Sequence, residues 1–115
     1  NGFSEEFSPG LGSDPDFNFK LWNIGVRLFK GLGDCRVYHF SSVSLRKKSW
    51  NNGAKTFLLK WGISIKFFRK HYLKVNTIFD GPLKDHVKNF EYFIDFLKCK
   101  VSFFYHFLIN KFIKI

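Results

Sequence analysis

Apolar residues recur at helical spacing near the start of the chain, between residues suited to begin and to end a helix. Asp14 is suited to cap the first backbone N–H groups, and Pro15 fits the first helical position. Gly25 follows where a residue that tolerates the left-handed conformation would end the helix. The sequence therefore predicts a short amphipathic helix whose apolar stripe is Phe17, Leu21 and Ile24.

The residues after this helix follow a different pattern, which is typical of β-strands. Residues 26–30 alternate, residues 35–40 are rich in β-forming side chains, and Gly31 to Asp34 turn the chain between them. The polar segment 41–52 is predicted to be a loop. We therefore expect two strands directly after the first helix.

The second half of the chain returns to helical spacing. Residues 54–61 and 63–73 predict two helices interrupted near Gly62, and the Asp-Gly-Pro sequence at 80–82 interrupts the chain again. From Leu83 onward, one long helix is predicted. Its apolar face consists of Val87, Phe90, Ile94, Leu97, Val101, Phe104 and Leu108.

The carboxyl-terminal stretch permits two interpretations. Residues 101–110 lack formal charge and are too short to cross a bilayer, which needs about 20 apolar residues. The stretch fits a helix that lies in a membrane interface beside anionic lipids, and it fits equally a helix that packs on a missing amino-terminal half. The residues that frame it are Lys98, Lys100, Lys111 and Lys114.

The composition is strongly basic, with 19 Lys and Arg against 9 Asp and Glu and a formal net charge of +10. This balance predicts attraction to polyanions, whether nucleic acid, anionic lipid or a phosphorylated substrate. Cys35 and Cys99 lie far apart and outside any CxxC pattern, which favours reduced thiols over a disulfide framework or a zinc site.

Three local patterns occur in order within the first 40 residues: an acidic loop at 2–7 (GFSEEF), a helix start at 12–17 (GSDPDF) and a strand end at 36–40 (RVYHF). Their order and spacing resembles the carboxyl-terminal part of the catalytic domain in family 2 glycosyltransferases, which have the GT-A fold. In that family, a GGFDE loop precedes an ED-x-D helix start, and a strand ending in V-x-H follows. The resemblance covers roughly residues 1–73 and is most specific within 1–40.

The resemblance implies roles for individual residues. Asp14 corresponds to the general base that deprotonates the acceptor hydroxyl in inverting members. His39 corresponds to a histidine that helps to hold the divalent metal, Mg²⁺ or Mn²⁺, or the donor diphosphate. Gly2 and Phe3 correspond to the loop that borders the acceptor pocket. The metal-binding DxD motif of the family is absent from this chain.

One departure from the family pattern leaves the base unassigned. Ser13 replaces the glutamate of the ED pair, so both Asp14 and Asp16 are candidate bases. Taken without the neighbouring motifs, Asp14 is more typical of a helix cap, and His39 is more typical of a buried, hydrogen-bonded histidine.

The expected fold class is α/β, the carboxyl-terminal part of a GT-A nucleotide-sugar-binding domain followed by a mostly helical tail. Residues 1–42 would complete the catalytic domain, 43–82 would form a helical extension, and 83–115 an amphipathic helix. The chain opens on Asn1 rather than Met. We therefore expect a fragment, inactive alone, of an inverting enzyme that transfers a sugar from a nucleoside diphosphate donor to a glycan or lipid-linked acceptor. Its expected location is cytoplasmic, with a peripheral position at the inner face of the membrane as an option.

Two other functions compete with this interpretation. The basic charge and the aromatic residues would suit a nucleic-acid-binding module, although the aromatics recur at apolar-face spacing rather than interleaved with Arg, so nucleic acid is not favoured. The carboxyl-terminal stretch would suit a membrane-associated interaction protein without catalysis.

Overall fold

The computed structural model describes residues 2–8, 11–38 and 51–112. Within these ranges the chain forms helices and no β-strand. The elements are a 3-10 turn at Glu5–Phe7, helix α1 at Ser13–Asn23, helix α2 at Gly53–Trp61, helix α3 at Ile65–Phe67, which continues into a π-helical turn at Phe68–Tyr72, and helix α4 at Phe90–Phe112.

The predicted α/β fold is wrong for the described residues. Residues 26–30 and 35–38 contain no strand, and several of their apolar side chains are exposed: Leu28 is 61% and Val37 is 92% accessible. The carbonyl of Arg27 does accept a hydrogen bond from the N–H of Leu83 at 2.8 Å, but no ladder follows. A strand needs a neighbouring strand for its backbone groups, and two short strands are marginal by themselves. The described residues therefore do not form part of a GT-A domain.

The core is built mainly from aromatic side chains. Phe57 of α2 and Phe68 of the π-helical turn are fully buried, and Phe19 of α1 lies between them with ring centroids at 6.0 and 4.9 Å. Such edge-to-face aromatic pairs add about 1 kcal/mol each beyond the burial of their area. The remaining buried apolar side chains are Phe7, Trp22, Leu58, Ile63, Phe67, Tyr92 and Cys99.

The two central helices have clear local signals, and the predicted interruption near Gly62 is confirmed. Asn52 caps α2, because its side chain accepts a hydrogen bond from the N–H of Lys55 at 3.1 Å. Gly62 ends α2 in the left-handed conformation, with φ of 71°. Ser64 then caps the next helix by accepting from the N–H of Phe67 at 3.1 Å.

The last helix begins at Phe90, seven positions later than Leu83, where it was predicted to begin. Asn89 provides the start, since its side chain accepts a hydrogen bond from the N–H of Tyr92 at 2.9 Å. No comparable capping side chain precedes Leu83, which follows Gly81 and Pro82.

The segment before α4 is held by side chains instead of by helical hydrogen bonds. The guanidinium of Arg27 lies 3.3 Å from the carboxylate of Asp85. The ring of His86 stacks between Tyr72 and Tyr92, with centroids at 4.3 and 5.0 Å. These tertiary contacts override the helical periodicity of residues 83–89.

Helix α4 packs on α2 and α3 through a different face from the apolar face that its sequence periodicity predicted. Its buried side is formed by Tyr92 and Cys99, with Phe96 and Phe103 packed against the core. The predicted apolar face is instead exposed on the opposite side. We call it the outer stripe; its members on α4 are Phe90, Ile94, Leu97, Val101, Phe104 and Leu108.

The starts of α1 and α2 meet at a close backbone contact. A Cβ atom on Gly53 would lie only 1.6 Å from the carbonyl oxygen of Leu11. This contact ties the loop before α1 to the first residue of α2, so any side chain at position 53 forces the backbones apart.

We predict that Gly53→Ala lowers the free energy of unfolding by about 2 kcal/mol or more, because the backbone clash outweighs the gain that alanine normally brings to a helix. Gly31→Ala is the matched control, since a Cβ there meets nothing within 4 Å. Urea unfolding of both variants checks the prediction, and equal stabilities would contradict the contact.

Candidate functional site

The candidate site lies at the amino-terminal end of α1, where the sequence placed its acidic residues. The helix begins at Ser13 after Gly12, which has φ of 107° and no side chain to cap the helix. A Cβ on Gly12 would lie 2.7 Å from the ring of Phe7, so this turn requires glycine. The prediction that Asp14 caps the helix and that Pro15 is its first residue is therefore wrong, because the chain enters the helix two residues earlier.

Asp16 is fully buried, and both of its carboxylate oxygens are bound. Oδ1 accepts hydrogen bonds from Trp61 Nε1 at 2.8 Å and from Lys60 Nζ at 2.9 Å. Oδ2 accepts a hydrogen bond from Ser4 Oγ at 3.0 Å and lies 3.0 Å from Lys20 Nζ. We call these residues, together with Glu6, the Asp16 cluster.

The ammonium groups of the Asp16 cluster make further bonds. Lys60 Nζ lies 2.6 Å from the carboxylate of Glu6 and donates to Ser4 Oγ at 2.9 Å. Lys20 Nζ donates to the carbonyl oxygen of Gly2 at 2.9 Å. The cluster thus fastens the loop 2–7 and the end of α2 to the first turns of α1.

The pKa values of Asp16 and Lys60 favour the charged forms of both groups. Burial alone would raise the pKa of Asp16, but hydrogen bonds from its partners, led by Lys60, outweigh burial and hold this pKa below its ordinary value. Burial would likewise lower the pKa of Lys60, and the carboxylates of Glu6 and Asp16 raise it instead. A carboxylate held this way is a poor proton acceptor, so Asp16 does not suit the role of a general base.

Asp14 has the opposite environment. It is exposed, and it forms no hydrogen bond or ion pair with the other described residues. Because successive helical residues are rotated by about 100°, Asp14 and Asp16 point to opposite sides of α1. One carboxylate is therefore directed into the molecule, and the other is directed into solvent.

Two aromatic rings pack together at the same end of α1 as Asp14. Phe17 is three residues further along α1, which places it on the same face as Asp14. Its ring lies 5.0 Å from that of Phe3, which is 65% exposed. Gly2 is held next to this pair through the bond between its carbonyl and Lys20. The structure thus brings Gly2 and Phe3 to the same helix end as Asp14.

A basic hollow opens one turn further along the same face. Asn18, four residues after Asp14, lines a hollow of about 640 Å³ together with the loop 73–84. Two loop residues here have left-handed backbones, Lys74 with φ of 48° and Asn76 with φ of 74°. The lysines that line this hollow are Lys30, Lys74 and Lys84, and Asp80 is also at its wall.

The predicted metal ligand cannot be placed in this site. His39 lies outside the described residues, so its predicted cleft with Asp14 does too. Among residues 2–8, 11–38 and 51–112, no three His, Cys, Asp or Glu side chains cluster. Asp16 is saturated by two ammonium groups, and Asp14 stands alone, so these carboxylates do not fit an Mg²⁺ or Mn²⁺ site.

Sequence reasoning missed most of the Asp16 cluster. The pairing of Asp16 with Lys20 has a visible signal, because residues four apart on a helix are neighbours. Trp61 is separated from Asp16 by 45 positions along the chain. No local pattern connects residues so far apart.

Comparison with protein-family models, with curated proteins and with solved structures finds no match to this chain.

We predict that Asp16→Asn lowers the free energy of unfolding by about 3 kcal/mol, because two ammonium groups lose their buried counter-charge. Asp14→Asn, at an exposed position, should change it by less than about 0.5 kcal/mol. Urea unfolding at neutral pH compares the two variants. Equal losses in both would show that the buried carboxylate does not hold this end of α1.

The contribution of Asp16 should also depend on pH. Because its pKa is lower in the folded protein than the ordinary value of 3.8, the unfolded chain takes up the proton first as the pH falls below that value. The stability difference between the protein and Asp16→Asn should therefore be complete above about pH 5 and shrink towards about pH 3. Urea unfolding at several pH values measures it; a difference that grows on acidification would contradict the prediction.

Proposed function

We propose that this chain supplies the acceptor side of an inverting glycosyltransferase that uses a nucleoside diphosphate sugar. The observation that carries the proposal is the exposed carboxylate of Asp14 on a helix end that Asp16 anchors, three residues before Phe17, whose ring packs on Phe3. The proposal rests on these side chains and not on a sheet, since the described residues form none.

The chemistry assigns each group a task. The acceptor hydroxyl attacks the anomeric carbon of the donor sugar, and the bond from that carbon to the diphosphate oxygen breaks as the new bond forms. Asp14 takes the proton of the attacking hydroxyl. The exposed ring of Phe3 offers an apolar surface to the C–H face of an acceptor sugar.

The choice between the two candidate bases follows from access. Asp16 is enclosed by its partners and presents no free oxygen to a ligand, whereas Asp14 is accessible on the outer side of the helix. We therefore assign the base to Asp14 and a positioning role to Asp16.

The basic hollow supports the same function. Positive charge is needed where the diphosphate leaves, and Lys30, Lys74 and Lys84 line a hollow that begins one turn from Asp14. The family resemblance implies that a divalent cation, Mg²⁺ or Mn²⁺, binds with the donor diphosphate.

We further propose a cytoplasmic protein that is peripheral to the membrane, where a lipid-linked acceptor would present its sugar. Among the described residues, no helix is both long enough and apolar enough to cross a bilayer. The observation behind the peripheral position is the exposed outer stripe of α4.

Ligand binding to the isolated chain tests the acceptor site. In NMR titrations, neutral mono- and oligosaccharides should shift the resonances of Phe3, Phe17 and Asp14, whereas uridine diphosphate should shift those of Lys74 and Lys84. Phe3→Ala should abolish the first set of shifts, and Val37→Ala, at another exposed apolar position, should preserve them. If no saccharide shifts these residues, the acceptor site is wrong. A salt-sensitive response to generic RNA or DNA would favour the nucleic-acid alternative.

Measurements of glycosyltransferase activity test the assignment of the general base to Asp14. In any active polypeptide that contains these residues, Asp14→Asn should reduce kcat by about 100-fold or more, since that is the usual contribution of a general base. Asp34→Asn, at another exposed aspartate in the described part of the chain, should leave kcat unchanged. A wild-type rate for Asp14→Asn would remove Asp14 from the mechanism.

A further inference from the structure

Helix α4 is apolar on two opposite sides, and only one side is covered. Cys99 is buried against the core, whereas Val101, about 160° away around the axis, is 64% exposed. The other members of the outer stripe lie on the same side of α4 as Val101, and the helix is about 35 Å long. An apolar helix face of this length that no described residue covers indicates an interaction surface.

Charges along the margins indicate which partner covers this surface. At about 100° per residue, Lys98 lies on one side of the outer stripe, and Lys111 lies on the other. The side chain of Lys98 is 73% exposed, and its Nζ lies 3.3 Å from Asp95 Oδ1. The ammonium of Lys100 is directed to the packed side of α4, where it lies 4.7 Å from the ring of Phe96. The sequence has no acidic residue from position 96 to position 112. The surface thus combines an apolar centre with positive margins.

We propose that the outer stripe of α4 lies in the interface of a membrane that contains anionic lipids. The apolar side chains enter the boundary of the acyl chains, with the helix axis parallel to the membrane plane. The lysine stems extend along the apolar surface and place their ammonium groups among the lipid phosphates. This inference rests on the peripheral position proposed above and names the surface and the lipid that produce it.

A second copy of the chain fits this surface poorly. Two outer stripes packed together would bring the lysine margins of both helices close to each other. The acidic residues of α4, Glu91 and Asp95, are already engaged by Lys70 at 2.7 and 2.6 Å. The margins would therefore repel, whereas anionic headgroups attract both of them.

Vesicle flotation of the full chain tests the proposal. The protein should float with phosphatidylcholine vesicles that contain phosphatidylglycerol and should not float with phosphatidylcholine alone. Val101→Asp should reduce binding by about tenfold or more, because it places a charge at the centre of the apolar face. Val37→Asp, which makes the same substitution at a site that is 92% exposed and outside the helices, should bind as the unaltered protein does.

Two double variants test the contribution of the lysines at the margins of the outer stripe. The double variant Lys98→Gln, Lys111→Gln should bind anionic vesicles several-fold more weakly, whereas Arg36→Gln, Arg69→Gln, with the same loss of charge outside α4, should bind normally. The thermal unfolding of every variant should match that of the parent, since the altered positions are exposed.

Three results would overturn the proposal. They are normal flotation of Val101→Asp, equal binding to neutral and anionic vesicles, and a dimer in analytical ultracentrifugation that Val101→Asp dissociates. The vesicles contain no saccharide, and Asp14→Asn should float normally. Separate measurements therefore test the membrane-binding surface and the glycosyltransferase function.

Discussion

The buried carboxylate of Asp16 is the interaction on which the amino-terminal half of the described structure depends. Among the described residues, it is the charged side chain that the fold places wholly inside, and a lone buried charge would be strongly unfavourable. Two ammonium groups, an indole N–H and a hydroxyl compensate for that burial. Because these groups come from the loop 2–7, from α1 and from the end of α2, their bonds fix how those three segments meet.

The same interaction explains how two neighbouring aspartates acquire different roles. Asp14 and Asp16 are separated by one residue, and a helix rotates such a pair by about 200°, so that burying one exposes the other. Pro15 stands between them in the first turn, where it removes no helical hydrogen bond. A base at Asp14 would thus be positioned by a helix whose orientation Asp16 fixes, although the two carboxylates lie on opposite sides of α1.

Local signals in the sequence predicted the helices well and the fold class poorly. Asn52, Gly62 and Ser64 act on backbone groups within a few residues, so the two central helices could be read from the chain. Strand formation depends on a partner strand elsewhere, and the β-forming side chains in residues 26–30 could not reveal that the described part of the chain contains no such partner. Periodicity identified the outer stripe of α4 as an apolar face but did not identify the side that packs on the core, although the side bearing Tyr92 and Cys99 is apolar at equally good spacing. The candidate site was found from its motif, whereas its anchor required contacts such as Trp61 to Asp16, which local patterns do not contain.

Helix α2 connects the two surfaces to which we assign function. Its first residue, Gly53, meets the loop that leads into α1, and Lys55 donates to Asn110 near the end of α4 at 2.7 Å. Its last turn supplies Lys60 to the Asp16 cluster. The helix that carries the candidate base and the helix that carries the outer stripe are therefore both fastened to one short, well-packed element. For an enzyme whose acceptor is anchored in lipid, such a linkage would hold the base in a fixed relation to the membrane, because neither helix can reorient without breaking its contacts with α2.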